Sequence, residues 1–534
     1  MSTKHIDLNN LSLESLTIYR DIYLNSFEEF HEILEKILKN NQNINLLISH
    51  SLFSRNNYLS TFYEDFCLLK FLQKIVKNEE KYVVTLSNFQ QFFLFNEHFR
   101  LTDNVKLIIK SKNTNKLFRF IKIFFKTSLF LYYLKILSFF FNDQKNKNIN
   151  LISINLIDDM FKFNKFNDRY YNGIDKDLIK SNYLFYPIIL LKKNLFKNFK
   201  ILKKSQYNFF FYFKYLNFTD LLNIQFYFIN FLKIKFPNDL KDYKRYLNFI
   251  FYSNIIDTNT YFSFINYFSI KAIYRNNFKI NNFIIWYENQ PVEKGLNFSL
   301  YKFFPNCKRI GYKSYFIDNN FHFYIRPTKY EYLFNYVPRK VASNCYNDES
   351  DLMKYYSNFL VLPGPLYRFD YFKDIYPVEK INNNKILVSL PIHLDESINI
   401  LKFLKLFINT NEGYLFYIKP HPFLSINKIN KYISSKNMIL TIESNQDLFN
   451  KCFLIFSNTS SILLEAFFFG LKVAICAFNR KNIQNPLFFL DNQYYHIINN
   501  INDFEKCLKS KVNNYELINY EKIKITNYAS KNLI

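Results

Sequence analysis

Glycine is almost missing from this chain: six residues in 534, beside one tryptophan, four methionines and thirteen prolines. No glycine-rich phosphate loop is written anywhere, so any anion site must be built without one. The six cysteines (Cys67, Cys307, Cys345, Cys452, Cys476 and Cys507) form no CxxC pair and no metal-like cluster with histidine. That fits a reduced, cytoplasmic setting in which most of the thiols act as small apolar groups. Long apolar runs are missing too. The most membrane-like stretch, "SLFLYYLKILSFFF" (128–141), is too short to span a bilayer and carries Lys135 at its middle. No transmembrane segment is expected; the run reads as a core helix, with an interfacial helix as the alternative. The polar start "MSTKHIDLNN" predicts no secretory signal.

Acidic residues are the other shortage, 44 against 70 Lys and Arg, for a net charge of +26. Such a balance ordinarily suggests nucleic acid or an anionic membrane. The lysines are scattered, however, and no RNA-binding or helix-turn-helix signature accompanies them. Abundant Lys, Asn, Ile, Phe and Tyr with scarce Gly, Ala, Pro and Trp is also the mark of an AT-rich genome on codon choice. No nucleic-acid partner is expected. Anionic lipid headgroups, or a phosphate-bearing substrate, remain open as partners.

What is present is apolar material: 49% of the residues are hydrophobic and 20% aromatic. A mainly disordered chain is excluded, and the length calls for two large domains. Five of the six glycines and eleven of the thirteen prolines lie after residue 290. Turn-dependent geometry should therefore concentrate in the second half. Strand-like runs in the first half are 44–49, 82–87, 105–111 and 149–157, separated by aromatic-rich helical stretches. Residues 195–275 read as a helical insertion. "NNFIIWYEN" and "KRIGYKS" then read as strands. From about residue 380, "NKILVSLPI", "GYLFYIKPHP" and "KCFLIFSNTSSILLEAFFFGLKVAIC" give a second α/β unit, with Gly470 as a helix stop.

Parallel α/β units place ligands at the carboxyl ends of their strands. "KPHP" (419–422) and "SNTSS" (457–461) would open at one such edge. Ser460 and Ser461 at a helix start, His421 between two prolines and Lys419 beside it make a candidate phosphate site. The plainer readings are helix caps for the serines and a solvated loop histidine for His421. Glu465, four residues after Ser461, is placed either to bind a ribose hydroxyl or to face solvent. Arg368 in "LPGPLYRFD" is a further donor-binding candidate, and Gly364 between its prolines reads as an interdomain turn. His393, Asp395, His322 and Arg326 are weaker candidates. No DxD motif stands in a strand–loop setting, so no metal is expected, and no cofactor.

"YIKPHP" and "SNTSSILLEAFFFGLKVAI" resemble the His–Pro and Ser–Ser motifs of GT-B enzymes that use cytidine-nucleotide donors. These include bacterial polysialyltransferases, capsular Kdo transferases and the CDP-glycerol polymerases of teichoic acid synthesis. In them the histidine and the serine pair contact the donor phosphates, a role that falls here on His421, Ser460 and Ser461. "YENQPVEKG" also resembles a segment of bacterial surface-carbohydrate biosynthesis proteins, where "IGY" is commonly followed by Gln–His; here Lys313 and Ser314 follow. The resemblance covers roughly residues 280–480.

It implies an α/β GT-B fold, two Rossmann-like domains facing a cleft: residues 1–372 on the acceptor side, carrying the insertion, and 373–534 binding the nucleotide donor. It further implies an inverting, metal-independent glycosyltransferase. A sugar would pass from a nucleotide donor, CMP-linked, to a capsular or other surface-glycan acceptor, growing or lipid-linked. The enzyme would be cytoplasmic or peripheral to the inner membrane. An inverting transfer needs a base, and Glu288, directly after the buried run "FIIWY", is the first candidate. Glu293 is the second, or else a residue that holds the loop; Pro291 would fix the turn and Gly295 admit a close helix. Alternatives are a CDP-alditol phosphotransferase of the same fold and a non-catalytic, membrane-associated relic of it.

Overall fold

Strand-forming runs alternate with helices along the chain, and most strand pairs are parallel, as crossover connections require. The computed structural model describes residues 3–534 except 57–58, 101, 103, 111–115, 163, 172–173, 175–182, 192, 256, 317–324, 346–347, 354–355, 376–382, 423, 459, 479, 482, 484, 511–514, 530–532 and 534. The chain forms two units. The first comprises Met1–Lys313, Phe323–Ala342 and Glu349–Leu362, the second Ser314–His322, Ser343–Asp348 and Pro363–Ile534. The expected class, α/β with parallel sheets and a helical insertion, is the one observed.

In the first unit β1 (Thr3–Asp7), β2 (Lys81–Leu86) and β3 (Val105–Ile109) form a small parallel sheet in that order. The main sheet contains β4 (Asn148–Leu156), β7 (Tyr183–Ile189), β8 (Lys279–Trp286), β9 (Lys308–Lys313), β10 (Lys340–Ser343) and β11 (Leu360–Pro363). A two-residue hairpin, β5 (Phe161–Lys162) with β6 (Lys165–Phe166), stands apart from it. The main-sheet order is β7-β4-β8-β9-β10-β11, and β7, β4, β8 and β9 pair in parallel. In chain order this is 2-1-3-4-5-6, so the winding reverses between β4 and β8. The carboxyl ends of those two strands mark the place where such a sheet opens a crevice.

The insertion over 195–275 is mainly helical in its described residues, with Phe209 bridging to Phe185 of β7. Its last helix, Thr258–Arg275, starts where the Asp257 carboxylate accepts the N–H groups of Asn259 and Thr260, and is buried along most of its length. It packs on the helix Pro291–Phe303 at Gly295. A Cβ there would lie 2.2 Å from Ser263 Oγ and 2.4 Å from the Ser263 carbonyl oxygen. Only glycine lets the two backbones come so close.

The run 44–49 is not a strand. Leu46 takes a left-handed conformation (φ 62°) and Leu47–Ser49 form a 3-10 turn. Leu46, Leu47 and Ile48 are all buried, and a short run apolar on every side looks alike as a strand or as a buried turn. The stretch 128–141 lies mostly in the helix Lys116–Ser138, with Leu131, Leu134 and Leu137 in the core. No described helix is long and apolar enough to cross a membrane. All six cysteines are buried, and none is disulfide-bonded.

The second unit holds one six-stranded sheet: β12 (Lys385–Ser389), β13 (Leu415–Lys419), β14 (Met438–Leu440), β15 (Leu454–Ser457), β16 (Lys472–Cys476) and β17 (Tyr495–Ile498). The order is β14-β13-β12-β15-β16-β17 with every pair parallel. In chain order this is 3-2-1-4-5-6, the doubly wound arrangement of dinucleotide-binding sheets, reversing between β12 and β15. Strand alternation splits the core. Leu387, Ile455 and Val473 pack with Leu463 and Phe467 on one face. Ile386, Val388 and Phe456 pack with Leu401, Leu404 and Phe504 on the other. The unit takes up the chain at Pro363, before residue 372, because Phe369 and Phe372 pack into the first of these layers.

The helix Ile462–Phe468 ends as expected. Gly470 has φ 88°, its N–H donates to the Phe467 carbonyl, and Leu471 N–H donates to Ala466, which is a Schellman closure. The other end differs, because Ser461 makes no side-chain cap bond.

Candidate functional site

The tryptophan closes β8 and aims the carboxylate that follows it. Trp286 is 3% exposed, packed against Tyr170, Tyr171 and Tyr312 with ring centroids 4.6, 6.0 and 5.8 Å away. Its backbone N–H donates to Ser153 Oγ of β4 (2.9 Å), and its indole Nε1–H donates to Glu288 Oε1 (2.7 Å). Tyr287, fully buried, is tied by its hydroxyl to the Ile325 carbonyl (2.7 Å). Glu288 is thereby half-exposed at the switch point between β4 and β8, on a strand end anchored on both sides.

Glu293 supports that strand end. It is the third residue of the helix Pro291–Phe303, with Pro291 at the first helical position. Its carboxylate accepts the Glu288 N–H at 2.9 and 3.1 Å. Burial, and then the neighbouring Glu288 charge, push the Glu293 carboxyl well above the usual carboxylate range, against the N–H groups that favour its ionised form. Glu293 therefore acts on the loop backbone, as a helix-start carboxyl does, and Glu288 is the one turned toward solvent.

Beneath this loop lies a buried charge network that spacing in the sequence gave no means of finding. Arg55 Nη2 and Lys294 Nζ approach Glu331 at 3.0 and 2.8 Å, with all three side chains at most 4% exposed. Glu331 also accepts the Thr328 N–H (2.8 Å), and His31 Nε2 lies 3.0 Å from Arg55 Nη1. Despite its burial, two cations on one carboxylate hold Glu331 far below its ordinary range. Burial, then Arg55, keeps the His31 pKa well below 6.5. The network joins the segment around Arg55 to the helix carrying Lys294. At the end of β4, Asp158 accepts the Lys193 N–H (3.3 Å) and Asp159 lies 3.9 Å from Arg169. These two carboxylates share the switch point with Glu288. Read for a metal alone, "DDM" hides that placement. Arg326 is buried, and His322 lies outside the described residues.

In the second unit Ser457 Oγ donates to the Ser389 carbonyl (2.7 Å), clamping β15 to β12 at the reversal. Beyond the clamp, buried Asn458 donates to Glu396 Oε2 (2.8 Å), whose other oxygen meets Arg480 Nη2 (3.1 Å). The helix Leu394–Ile408 starts with Asp395 and Glu396, so its N-terminus already carries negative charge. Sequence reasoning missed Asn458, Glu396 and Arg480, although Asn458 stands inside "SNTSS".

The positive side of the edge lies at the serines. Arg368 Nη2 donates to Ser461 Oγ (3.3 Å), bringing two expected donor-binding residues together. Ser460 and Ser461 are half-buried. The helix behind them has only seven residues, so Arg368 rather than a helix dipole supplies the local charge. Glu465 neither faces open solvent nor stands apart: it accepts from Asn445 Nδ2 (3.2 Å), and its charge adds to burial in raising the Tyr371 hydroxyl pKa.

His421 follows β13 on the same carboxyl edge, half-buried, two strands from β15. That separation is about 10 Å across the sheet. The Lys419 ammonium donates to the Glu443 carbonyl (2.5 Å), toward β14 and away from β15. His393 is the N-cap residue of the helix Leu394–Ile408, through its carbonyl. Lys313 and Ser314, which stand where the resembled family has Gln–His, are fully buried.

Among the described residues no group of three or more His, Cys, Asp or Glu is gathered as a metal site. A cavity of about 450 Å³ lined by Asn43, Asn45, Tyr227, Tyr267 and neighbours contains none of the candidate residues.

No family model matches the chain, and no curated protein matches it. Solved structures to which it is similar include the trehalose 6-phosphate synthase of Burkholderia multivorans, at 6% identity over 72% of this chain and 94% of that one, TM-score 0.39. The glycotransferase of kitacinnamycin matches at 7% over 72% and 96%, TM-score 0.41. The UDP-GlcNAc 2-epimerase of Methanocaldococcus jannaschii matches at 10% over 72% and 100%, TM-score 0.37.

Proposed function

We propose that the chain is a glycosyltransferase of the two-domain GT-B type, moving a sugar from a CMP-linked donor to a surface glycan, growing or lipid-linked, at an anionic membrane surface. One observation carries the reading. Each main sheet reverses its winding at strands whose carboxyl ends hold one half of the required chemistry: Glu288 in the first unit, Arg368 with Ser461 in the second.

Glu288 takes the proton from the acceptor hydroxyl as the oxygen attacks the anomeric carbon. The bond from that carbon to the donor phosphate breaks, and the nucleotide leaves with the electron pair. A single displacement of this kind inverts the anomeric centre. Arg368, the Ser460 and Ser461 hydroxyls and His421 meet the charge that develops on the leaving phosphate, which removes the need for a metal in this reading. Trp286 and Glu293 hold the base in place. Lys419, engaged with Glu443, adds only long-range charge, and Glu465 fixes the serine-bearing helix through Asn445.

A thermal-shift series with CMP, CDP, UDP and GDP tests the donor half. A ligand bound only by the folded state at a hundred times its Kd adds about 2.7 kcal/mol of stability. A rise in Tm with a cytidine nucleotide is expected, and no rise with any of the four would refute a nucleotide donor. Slow release of free sugar from a CMP-sugar without acceptor separates a transferase from a catalytically dead relic. The linkage of the product, glycosidic rather than phosphodiester, separates it from an alditol phosphotransferase.

A further inference from the structure

The helix Lys116–Ser138 is apolar on two faces, and the fold covers only one of them. Leu131, Leu134 and Leu137 are buried to within 1%. On the other side Ile121, Phe125, Leu129, Tyr133, Ile136 and Phe140 recur at intervals of three or four, one stripe of a helix and the turn that ends it. They are 41, 60, 70, 38, 60 and 46% exposed, and Phe139 beside them is 63% exposed. The four exposed rings alone present on the order of 400 Å², since a ring covers about 150–250 Å² when fully buried. With the three aliphatic residues added, the stripe exceeds the apolar patch of a typical monomer, about 300–600 Å² at its largest.

The two helices that frame the stripe carry one sign of charge, and the acid that follows it in sequence, Asp143, is paired with Lys214 at 3.0 Å. Lys122 and Lys126 are exposed along the margin of the stripe. At its far end the helix Leu195–Lys203 abuts it, with Phe140 and Phe196 rings 5.6 Å apart and Phe141 and Phe199 rings 5.8 Å apart. That helix exposes Lys197, Lys200 and Lys203, and Lys200 Nζ lies 4.3 Å from the Phe196 ring centre. Residues 116–141 and 192–205 contain no Asp or Glu at all. A second copy docked on this face would bring lysine against lysine, because a two-fold contact pairs a patch with itself. An anionic bilayer supplies both the apolar phase for the stripe and the negative headgroups for its border.

We propose that the exposed face of the helix Lys116–Ser138, bordered by the lysines of the helix Leu195–Lys203, docks this protein in the plane of an anionic lipid membrane. The stripe runs about 27 Å along the helix from Ile121 to Phe139, at 1.5 Å per residue. It lies flat on the interface rather than crossing it. This inference stands independently of the transferase reading.

Co-sedimentation of the full chain with vesicles tests it. Binding to vesicles of one part phosphatidylglycerol to two parts phosphatidylcholine is expected, falling at least tenfold on pure phosphatidylcholine and falling steeply with added salt. Phe125→Asp with Ile136→Asp changes two side chains that are 60% exposed, so the melting temperature should hold while vesicle binding drops at least tenfold. Lys122→Glu with Lys126→Glu, which leaves the apolar stripe intact, should weaken binding to the anionic vesicles alone. Equal binding to both lipids, or unchanged binding by both variants, would overturn the proposal. So would loss of a dimer in the Phe125→Asp, Ile136→Asp variant with vesicle binding intact, which would make a second copy the occupant. Nucleotide-induced shifts in melting temperature should be unchanged in every variant, so failure here is distinct from failure of the donor reading.

Discussion

Replacing Gly295 by alanine should destabilise the protein, and the sign of the effect is the point. In an open helix the same change stabilises by about 1 kcal/mol, because alanine gives up less backbone freedom. At Gly295 the new Cβ would lie 2.2 Å from Ser263 Oγ and 2.4 Å from the Ser263 carbonyl oxygen, where ordinary contacts are about 3.5–4.0 Å. The hydroxyl can rotate away; the carbonyl belongs to the backbone of the helix Thr258–Arg275 and cannot. The two helices must separate, an overpacking cost of about 1–3 kcal/mol. After the propensity gain of about 1 kcal/mol, a net loss of up to about 2 kcal/mol is expected. Urea unfolding reads it as a lower midpoint at an unchanged m value. Adding Ser263→Ala removes the hydroxyl and leaves the carbonyl, so it should restore less than half of the loss. An unchanged or raised midpoint for Gly295→Ala would refute the close approach. Full restoration by Ser263→Ala would show that the backbone contact contributes nothing.

Trp286→Phe keeps an aromatic ring and deletes the indole N–H that holds Glu288. A hydrogen bond to a charged group contributes about 1.5–3 kcal/mol, so product formation should slow about 10- to 100-fold with nucleotide affinity unchanged. His421→Ala should lower turnover sharply while altering stability by no more than about 0.5 kcal/mol, since the residue is a half-buried loop side chain. His50 is fully buried, and burial depresses its pKa to about 3. Between that value and the ordinary 6.5 the unfolded chain binds the proton and the native one does not, so this group's stability contribution rises with pH across the window and is complete above it. The span corresponds to roughly 5 kcal/mol, and His50→Asn should flatten that limb in unfolding titrations from pH 4 to 7.

Much of the second unit was legible because its information is local. "KCFLIFSNTSSILLEAFFFGLKVAIC" contains strand, turn, helix, glycine closure and strand within one stretch, and Gly470 adopts the positive φ that its place demands. The end of β8 was legible for a related reason. In a chain so poor in Trp, Gly and Pro, finding Trp286, Pro291 and Gly295 together marks a point where composition yielded to geometry. Short strands such as β1, β10, β14 and β17 have too few residues to show a period. Residues 44–49 are buried on every side, so no period distinguishes a turn from a strand there. The Arg55–Glu331 pair spans 276 positions and leaves no trace in spacing. The helix Lys116–Ser138 was hardest to place, because a segment apolar all round reads as core whether or not the fold covers both of its faces.

The central claim is that Glu288 is the base of a sugar transfer, and Glu288→Gln tests it most directly. The amide keeps an oxygen for the Trp286 indole and removes the basicity. With a CMP-sugar donor and a surface-glycan acceptor, transfer should fall by about 10²–10⁴, the usual contribution of a general base. The affinity for the cytidine nucleotide, measured on the same samples by titration calorimetry, should stay at the wild-type value. Transfer by Glu288→Gln at a near wild-type rate would contradict the claim.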